Sequence, residues 1–592
     1  MTPARFQLRA IVGLGVLLVA FAGLIVRLGR IQLGDHAELR RRGDNQHATA
    51  RHVVPADRGA ITDRHGRVLA RTEQWPSIAV DPKWIRERDR KTSAQPLGEL
   101  ERLARIVEEE IGIDVRSIVT SADAKSQFVW VRRKIEDRDA VERMRVRLRK
   151  QKLRGVIIDF ESVRTYPAGA LAAHMVGFTF EGADGALRGA AGAERLGDAR
   201  LRGSPGWRSD ERDATGRRIV VAQHPGRAAR HGQDIRLTLD TVIQAFAESE
   251  ADEIFREFDP ASVIAAVVDI RTGDLLAMAC RPGFDANSRT APQDVRRNRF
   301  FTDVFEPGST FKPITMGIAL DAGVVTVGEI IDTNPGTVQI GGRSIREDKH
   351  HNYGELTPAG AIAESSNVAM AKLALRLGVD RMHTAVRTFG FGAKTGVRWA
   401  GESRGIVTPF ANWTETYTLC SVSFGQEIAV TPAQLLAAYA GLANDGLLHP
   451  LRVFLDEPAP AAVRVIRAEA ARQLAPMMEA VFETGTASRI ATGGYRMAGK
   501  TGTAEQKNKR GQSEYVGSFA CFGPVEAPRL AVLVVCDRPQ GSPYGSRVAA
   551  PFAARLLRNS LRYLGVPTSA PREDAASADS RVLDPSPEVQ PR

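Results

Sequence analysis

Three short segments carry side chains that together can run acyl transfer without a histidine: Ser309-Thr310-Phe311-Lys312, Ser365-Ser366-Asn367 and Lys500-Thr501-Gly502-Thr503. A serine hydroxyl attacks a carbonyl only with a base beside it. Lys312 lies three residues after Ser309, so on a helix it shares the serine's face. A lysine is a base only when neutral. Bringing its pKa from about 10.4 to near 7 costs on the order of 4 kcal/mol. Burial and a second cation supply such a shift, and Lys500 is the cation at hand. Ser365 offers a hydroxyl that can pass a proton to a leaving amine. Asn367 offers an amide that both donates and accepts, suited to holding a peptide. Lys500, Thr501 and Thr503 can bind a substrate carboxylate from a strand edge, and Gly502 removes a side chain that would block close approach. The N–H groups of Ser309 and Thr503 can form an oxyanion hole, a feature whose loss commonly costs about 10²–10³ in rate.

Taken singly, each segment reads as ordinary structure: a capped helix, a polar turn, a strand. Lys394-Thr395-Gly396 repeats three of the letters. It follows the glycine-broken run Phe389-Gly390-Phe391-Gly392 and precedes Val397 rather than a hydroxyl, so it reads as a structural turn.

The elements that must position these groups are visible as periodic patterns. Phe311 to Leu320 is a helical pattern placing Ser309 at a helix start, where free N–H groups favour developing negative charge. Ala261 to Ile270 reads as a strand, Arg271-Thr272-Gly273-Asp274 as a turn and Leu275 to Ala279 as the returning strand. Gly360 to Leu377 and Pro432 to Ala443 read as long helices. Lys500 to Thr503 continues from Tyr495 to Gly499 as an edge strand. Tyr515 to Gly523 and Leu530 to Cys536 read as a hairpin, and Leu557 to Leu564 as a closing helix. Strands at both ends of this region, with helices between, predict an α+β domain on one antiparallel sheet.

Ahead of that region, residues 34–232 are rich in charge and glycine and carry no enzyme-like constellation. Leu97 to Ile111, stopped by Gly112, is a helical pattern. Asp137 to Lys152 is a second, basic one, and its Arg143, Arg147, Arg149 and Lys150 read as a solvated face. The only long apolar run, Ala10 to Val26, is about 17 residues, the lower limit for a membrane span. Arg27 and Gly29 follow it in place of a small-residue cleavage site, which favours an uncleaved anchor. Arg5 and Arg9 before the run and Arg27 and Arg30 after it leave orientation undecided by charge. The boundaries are then 1–33 for the N-terminus and anchor, 34–232 for a pedestal, 233–566 for the catalytic domain and 567–592 for a disordered tail.

A chain of 592 residues with net charge +12 invites a nucleic-acid reading. Neither zinc-knuckle spacing nor an aromatic-interleaved basic strip supports it. Cys280, Cys420, Cys521 and Cys536 have no metal-ligand spacing and read as buried thiols. His350-His351, among polar neighbours, reads as an exposed turn. No metal and no cofactor are expected.

The ordered trio and its flanks resemble the class B penicillin-binding proteins. The run Arg297-Asn298-Arg299-Phe300-Phe301-Thr302-Asp303-Val304-Phe305-Glu306-Pro307-Gly308-Ser309 is similar to the active-serine region of their division-specific, septal peptidoglycan D,D-transpeptidases. Asp57-Arg58-Gly59-Ala60-Ile61-Thr62-Asp63-Arg64-His65-Gly66, Arg164-Thr165-Tyr166-Pro167-Ala168-Gly169, Ala173-His174-Met175-Val176-Gly177 and Gly192-Ala193-Glu194 resemble the family's pedestal motifs. Ser423-Phe424-Gly425-Gln426 with Thr431-Pro432 resembles a further catalytic segment.

The resemblance implies a five-stranded antiparallel sheet flanked by helices, an elongated pedestal, a cytoplasmic N-terminus and a periplasmic catalytic domain on a single-pass inner-membrane anchor. It implies that Ser309 attacks the penultimate D-alanine carbonyl of a stem peptide, that Lys312 takes the serine proton, and that Ser365 and Lys500 relay it to the leaving amine. Asn367, Thr501, Gly502 and Thr503 would hold substrate. Beta-lactams would be trapped at Ser309. The implied partners are stem peptides, a membrane glycan polymerase and other divisome proteins, the polymerase because no glycosyltransferase domain is seen before the pedestal. The alternatives are the related elongation enzyme, a beta-lactam sensor or hydrolase, and a divisome scaffold with a silent site.

Overall fold

The computed structural model describes residues 3–30, 51–92, 98–209, 211–212, 218–219, 226–288, 290–348, 351–507 and 511–569. The tail expected over 567–592 lies outside them apart from its first three residues, as do Leu97, Lys349 and His350. The chain forms two compact units, Met1–Asp57 with Arg202–Gly232, and Arg58–Leu201 with Gln233–Arg592.

The first unit contains the helix Pro3–Gly29, whose segment Ile11–Gly29 is long and apolar enough to cross a membrane and has its side chains exposed. It also contains a small sheet in which Gly206–Ser209 is flanked by Arg51–Val54 and Gly226–Arg227.

In the second unit, residues 58–201 build on the long strand Val68–Val80, paired with Val156–Thr165 and Val129–Arg132. The helices Glu99–Ile111 and Arg138–Lys150 belong to the same core, through Leu103, Val107, Val141 and Met144 against Ile78 and Val80. Both helices sit where the sequence patterns place them. Asp137 caps the second by accepting from Ala140 N–H at 2.9 Å. Arg143 and Arg147 of its basic face each hold Glu110 of the neighbouring helix at 2.9 Å, so these charges form an ion-paired, solvated surface.

Three of the four quoted pedestal motifs have a common reason. Arg58 donates to Glu194 at 2.5 Å and to Asp198 at 2.6 Å, and Arg164 donates to the other oxygen of Glu194 at 2.6 Å. Glu194 is fully buried, with both arginines nearly so. Three segments distant in sequence are locked by one carboxylate.

The catalytic sheet has five antiparallel strands: β1 (Ser262–Asp269), β2 (Leu275–Arg281), β3 (Ala498–Lys507), β4 (Ser513–Gly523) and β5 (Leu530–Asp537), in spatial order β2-β1-β5-β4-β3. Every residue of β1 is buried, as its unbroken Val/Ile/Ala run requires of a central strand. Helices α1 (Thr241–Phe258) and α7 (Ala550–Tyr563) pack on the sheet. Between β2 and β3 the chain makes α2 (Lys312–Asp321), α3 (Pro358–Ala363), α4 (Asn367–Leu377), α5 (Pro432–Ala443) and α6 (Ala468–Glu483).

Two sequence expectations change. The pattern Gly360–Leu377 is two helices, α3 and α4, broken at Glu364-Ser365-Ser366. The closing helix starts at Ala550 rather than Leu557. The helix α1 has no counterpart among the sequence patterns. All four cysteines are buried free thiols, and Lys394-Thr395-Gly396 is a turn fastened by Thr395 Oγ1 donating to Glu402.

Candidate active site

The serine rides on a tight 3₁₀ turn, Gly308–Phe311, that runs straight into α2. Gly308 N–H donates to Gly425 O at 3.0 Å. Gly425 has φ 82°, and a Cβ there would stand 2.1 Å from Gly308 O, so only glycine fits. The segment Ser423-Phe424-Gly425-Gln426 is therefore a backing plate for the Ser309 turn. Tyr439 of α5 donates to Thr310 O at 2.7 Å from a fully buried position.

Ser365 sits where α3 ends. Its φ of 62° is in the left-handed region that a side chain rarely adopts. Such strain persists where the surroundings hold it. Ser366 is the N-cap of α4, accepting from Ala369 N–H at 3.0 Å. Glu347, buried, accepts from Ser366 Oγ and from the backbone N–H of Asn367 at 2.6 Å. A carboxylate at a helix N-terminus satisfies orphan donors and complements the helix dipole. Asn367 Nδ2 donates to Arg346 O at 3.0 Å.

The third segment lies on β3, the edge strand, as expected. A Cβ on Gly502 would meet Ser518 Oγ at 2.6 Å, Thr310 Cγ2 at 2.8 Å and Pro307 O at 2.9 Å. The missing side chain lets β3 press against the serine turn. Thr503 Oγ1 accepts from Gly545 N–H at 3.2 Å, and the hydroxyls of Thr501 and Thr486 are 2.8 Å apart.

The folded chain brings all three segments to one cavity of about 830 Å³, lined by Ser309, Lys312, Ser365, Asn367, Thr501 and Thr503. Ser365 Oγ and Ser309 Oγ are 3.0 Å apart, and Lys312 Nζ donates to Ser365 Oγ at 3.0 Å and also to Ser365 O. The hydrogen-bonded path from Ser309 to Lys312 thus runs through Ser365, where sequence spacing suggested a direct contact. Lys312 is fully buried, and that burial pulls its ammonium down to about 7, against the opposing pull of Glu347 and Asp348. Lys500 is also fully buried, and burial first, then the charge of Lys312, holds it well below the usual lysine range. The two-cation effect expected on Lys312 falls instead on Lys500, whose Nζ donates to Thr501 O at 3.3 Å.

The sequence reading missed Glu347, Tyr439 and Gly545. Glu347 lies twenty residues before Asn367 with no local pattern to mark it. Gly545 was findable only through contact, since a Cβ there would stand 2.2 Å from Gly502 O.

Comparison with known proteins gives a consistent result. The penicillin-binding protein transpeptidase domain matches residues 263–558, and the penicillin-binding protein dimerisation domain matches residues 53–237. The chain is 32% identical over 564 residues to a probable peptidoglycan D,D-transpeptidase PenA of Neisseria meningitidis, covering 94% of this chain and 93% of that protein. It is 32% identical over 562 residues to the peptidoglycan D,D-transpeptidase FtsI of Escherichia coli K12, covering 94% and 92%. Among solved structures, a peptidoglycan synthetase from Bifidobacterium adolescentis aligns with TM-score 0.70 and 26% identity over 89% of this chain and 99% of that one. Penicillin binding protein 3 from Mycobacterium tuberculosis, complexed with aztreonam, aligns with TM-score 0.65 and 26% identity over 88% and 99%.

Proposed function

The chain belongs to the class B penicillin-binding proteins, and from that premise we propose that it crosslinks stem peptides of septal peptidoglycan through an acyl-enzyme on Ser309. The observation that carries the chemistry is the chain Ser309–Ser365–Lys312, ending on a buried lysine held near 7. A lysine neutral at working pH is a competent base, because a catalytic pKa works best near the operating pH.

In this reading Ser309 Oγ attacks the penultimate D-alanine carbonyl and its proton passes through Ser365 to Lys312. The C–N bond of the terminal D-alanine then breaks, and the proton returns through Ser365 to the leaving amine. Backbone N–H groups of Ser309 and Thr503 hold the oxyanion. Thr501, Thr503 and Lys500 hold the terminal carboxylate, whose arrival favours the charged form of Lys500. Asn367 orients the peptide, and Gly502 keeps β3 close. Residues 1–33 serve as a single-pass inner-membrane anchor with a cytoplasmic N-terminus. Residues 34–232 form the pedestal that meets divisome partners, including a membrane glycan polymerase, and 233–566 the periplasmic transpeptidase domain.

Mass spectrometry of the full chain after penicillin exposure tests this. One adduct is expected, on Ser309, absent from Ser309→Ala and slow to leave. An adduct elsewhere, or its rapid turnover, overturns the reading. Septation sustained by Ser309→Ala would favour a scaffold.

A further inference from the structure

Two carboxylates of the cavity hydrogen-bond to no group used in the acylation half of the reaction, though their charges reach its lysines, Glu364 opposing the fall of Lys500 and Asp348 that of Lys312. Glu364, the residue before Ser365, lines the cavity and is exposed. Its carboxylate makes no hydrogen bond and no ion pair among the described residues. Asp348, also lining the cavity and exposed, is likewise unpaired among them. Tyr353 lies close to both: burial, then the charges of Glu364, Glu347 and Asp348, push its hydroxyl up to about 12. Tyr353 OH is 3.2 Å from His351 Nδ1. The cavity's other carboxylates are committed, Glu347 to the start of α4 and Glu505 to Lys507 and Ser513. Of its arginines, Arg343 is bonded to Ser421 and the Tyr417 carbonyl, while Arg346 is exposed.

Two unpaired carboxylates beside an aromatic ring attract an ammonium through charge and through the ring face. We propose that Glu364, with Asp348 and Tyr353 beside it, is the docking point for the cationic amine of the acceptor strand. The inference rests on the transpeptidase reading and adds a residue for its second half.

The acceptor arrives as an ammonium and is held at Glu364. It gives one proton to solvent and turns its nitrogen lone pair on the acyl carbonyl carbon. The C–N bond forms, the bond from that carbon to Ser309 Oγ breaks, and the second N–H proton returns to Ser309 Oγ through Ser365. Crosslink and free serine result, with no other reactant.

The test is how the acyl-enzyme partitions. The full chain in detergent is given a D-alanyl thioester donor, and products of aminolysis and hydrolysis are counted with two acceptors, a diamino acid and hydroxylamine, the latter uncharged at pH 7.5. The ratio is read after acylation, so a changed acylation rate does not enter it. Glu364→Gln is expected to lower the aminolysis-to-hydrolysis ratio for the diamino acid about threefold to fivefold, and Asp348→Asn somewhat less. Hydroxylamine should partition as in the wild type. An unchanged ratio in both variants, or equal loss with both acceptors, overturns the inference and leaves the acyl-enzyme standing. Wild type that forms no acyl-enzyme overturns the transpeptidase reading, and this one with it.

Discussion

The pedestal and the catalytic domain both bury charge, and they do so in opposite ways. Around Glu194 each charge meets its opposite: Arg58 and Arg164 grip the two oxygens of one carboxylate, and Asp198 takes the remaining reach of Arg58. Around Ser309 two lysines are buried with no carboxylate in contact among the described residues, Lys312 bonded to Ser365 and Lys500 to Thr501. Pairing fixes geometry and leaves the groups charged. Burial without pairing disfavours the charge itself and so produces a base. The same element of cost, a desolvated ion, becomes a structural clamp in one region and reactivity in the other.

The sharpest way to break that contrast is to remove a cation from each region. Lys312→Met should cut penicillin acylation about 10²–10⁴-fold, since the general base is gone. It should also raise stability by roughly 1–3 kcal/mol at pH 7, because an apolar side chain replaces a buried, uncompensated ammonium. A lower urea midpoint would show that Lys312 is compensated after all. Glu194→Ala should do the reverse. It strands two buried guanidinium groups and costs roughly 3–5 kcal/mol of pedestal stability. The fraction still folded should acylate at the wild-type rate. A loss of acylation larger than the loss of folded protein would mean that the clamp reaches the catalytic site.

Gly502→Ala tests a smaller effect, the closeness of β3 to the serine turn. The new methyl must displace Thr310, Ser518 or the Pro307 carbonyl, all within 2.9 Å of its place. Acylation should fall roughly 10–100-fold, because small misplacements of reacting groups are costly. Fluorescent penicillin labelling over time reads this directly. Wild-type labelling would mean that β3 yields without moving Thr503.

How much of this was legible in the sequence depended on whether the cause was local. The strand Ser262–Asp269 and the helix Pro432–Ala443 were readable because a short Val/Ile/Ala-rich run and a long apolar helical pattern are both local signals. The three site segments were readable because their residue types are chemically unusual together. The break at Ser365 was not, since helical spacing runs through it and only tertiary contacts impose a left-handed residue there. Glu347 and the routing of Lys312 through Ser365 depend on which distant segments meet. The helix Thr241–Phe258 was hidden for another reason. Its buried face includes Gln244 and Glu250, polar residues whose partners, the Met278 backbone and Arg555, come from elsewhere in the chain.

A further expected effect is the pH dependence, and it follows from Lys312 standing at about 7 instead of 10.5. Acylation requires the neutral amine, so its rate should rise about tenfold per pH unit well below 7 and level off above it. Stability moves in the same direction for a separate reason. Between about pH 7 and 10.5 the lysine of the unfolded chain still holds a proton that the folded one has lost, so unfolding takes up protons and stability rises with pH across that window. Below 7 both forms are protonated, and the cost of the buried ammonium is present in full. Lys500, shifted the same way, adds to the slope. Subtracting the Lys312→Met stability curve from that of the wild type leaves the Lys312 share together with the part of the Lys500 shift that the Lys312 charge causes. A difference that is flat from pH 7 to 10, or that falls, would mean that this lysine stays charged in the folded protein, and the proton of Ser309 would then need another acceptor.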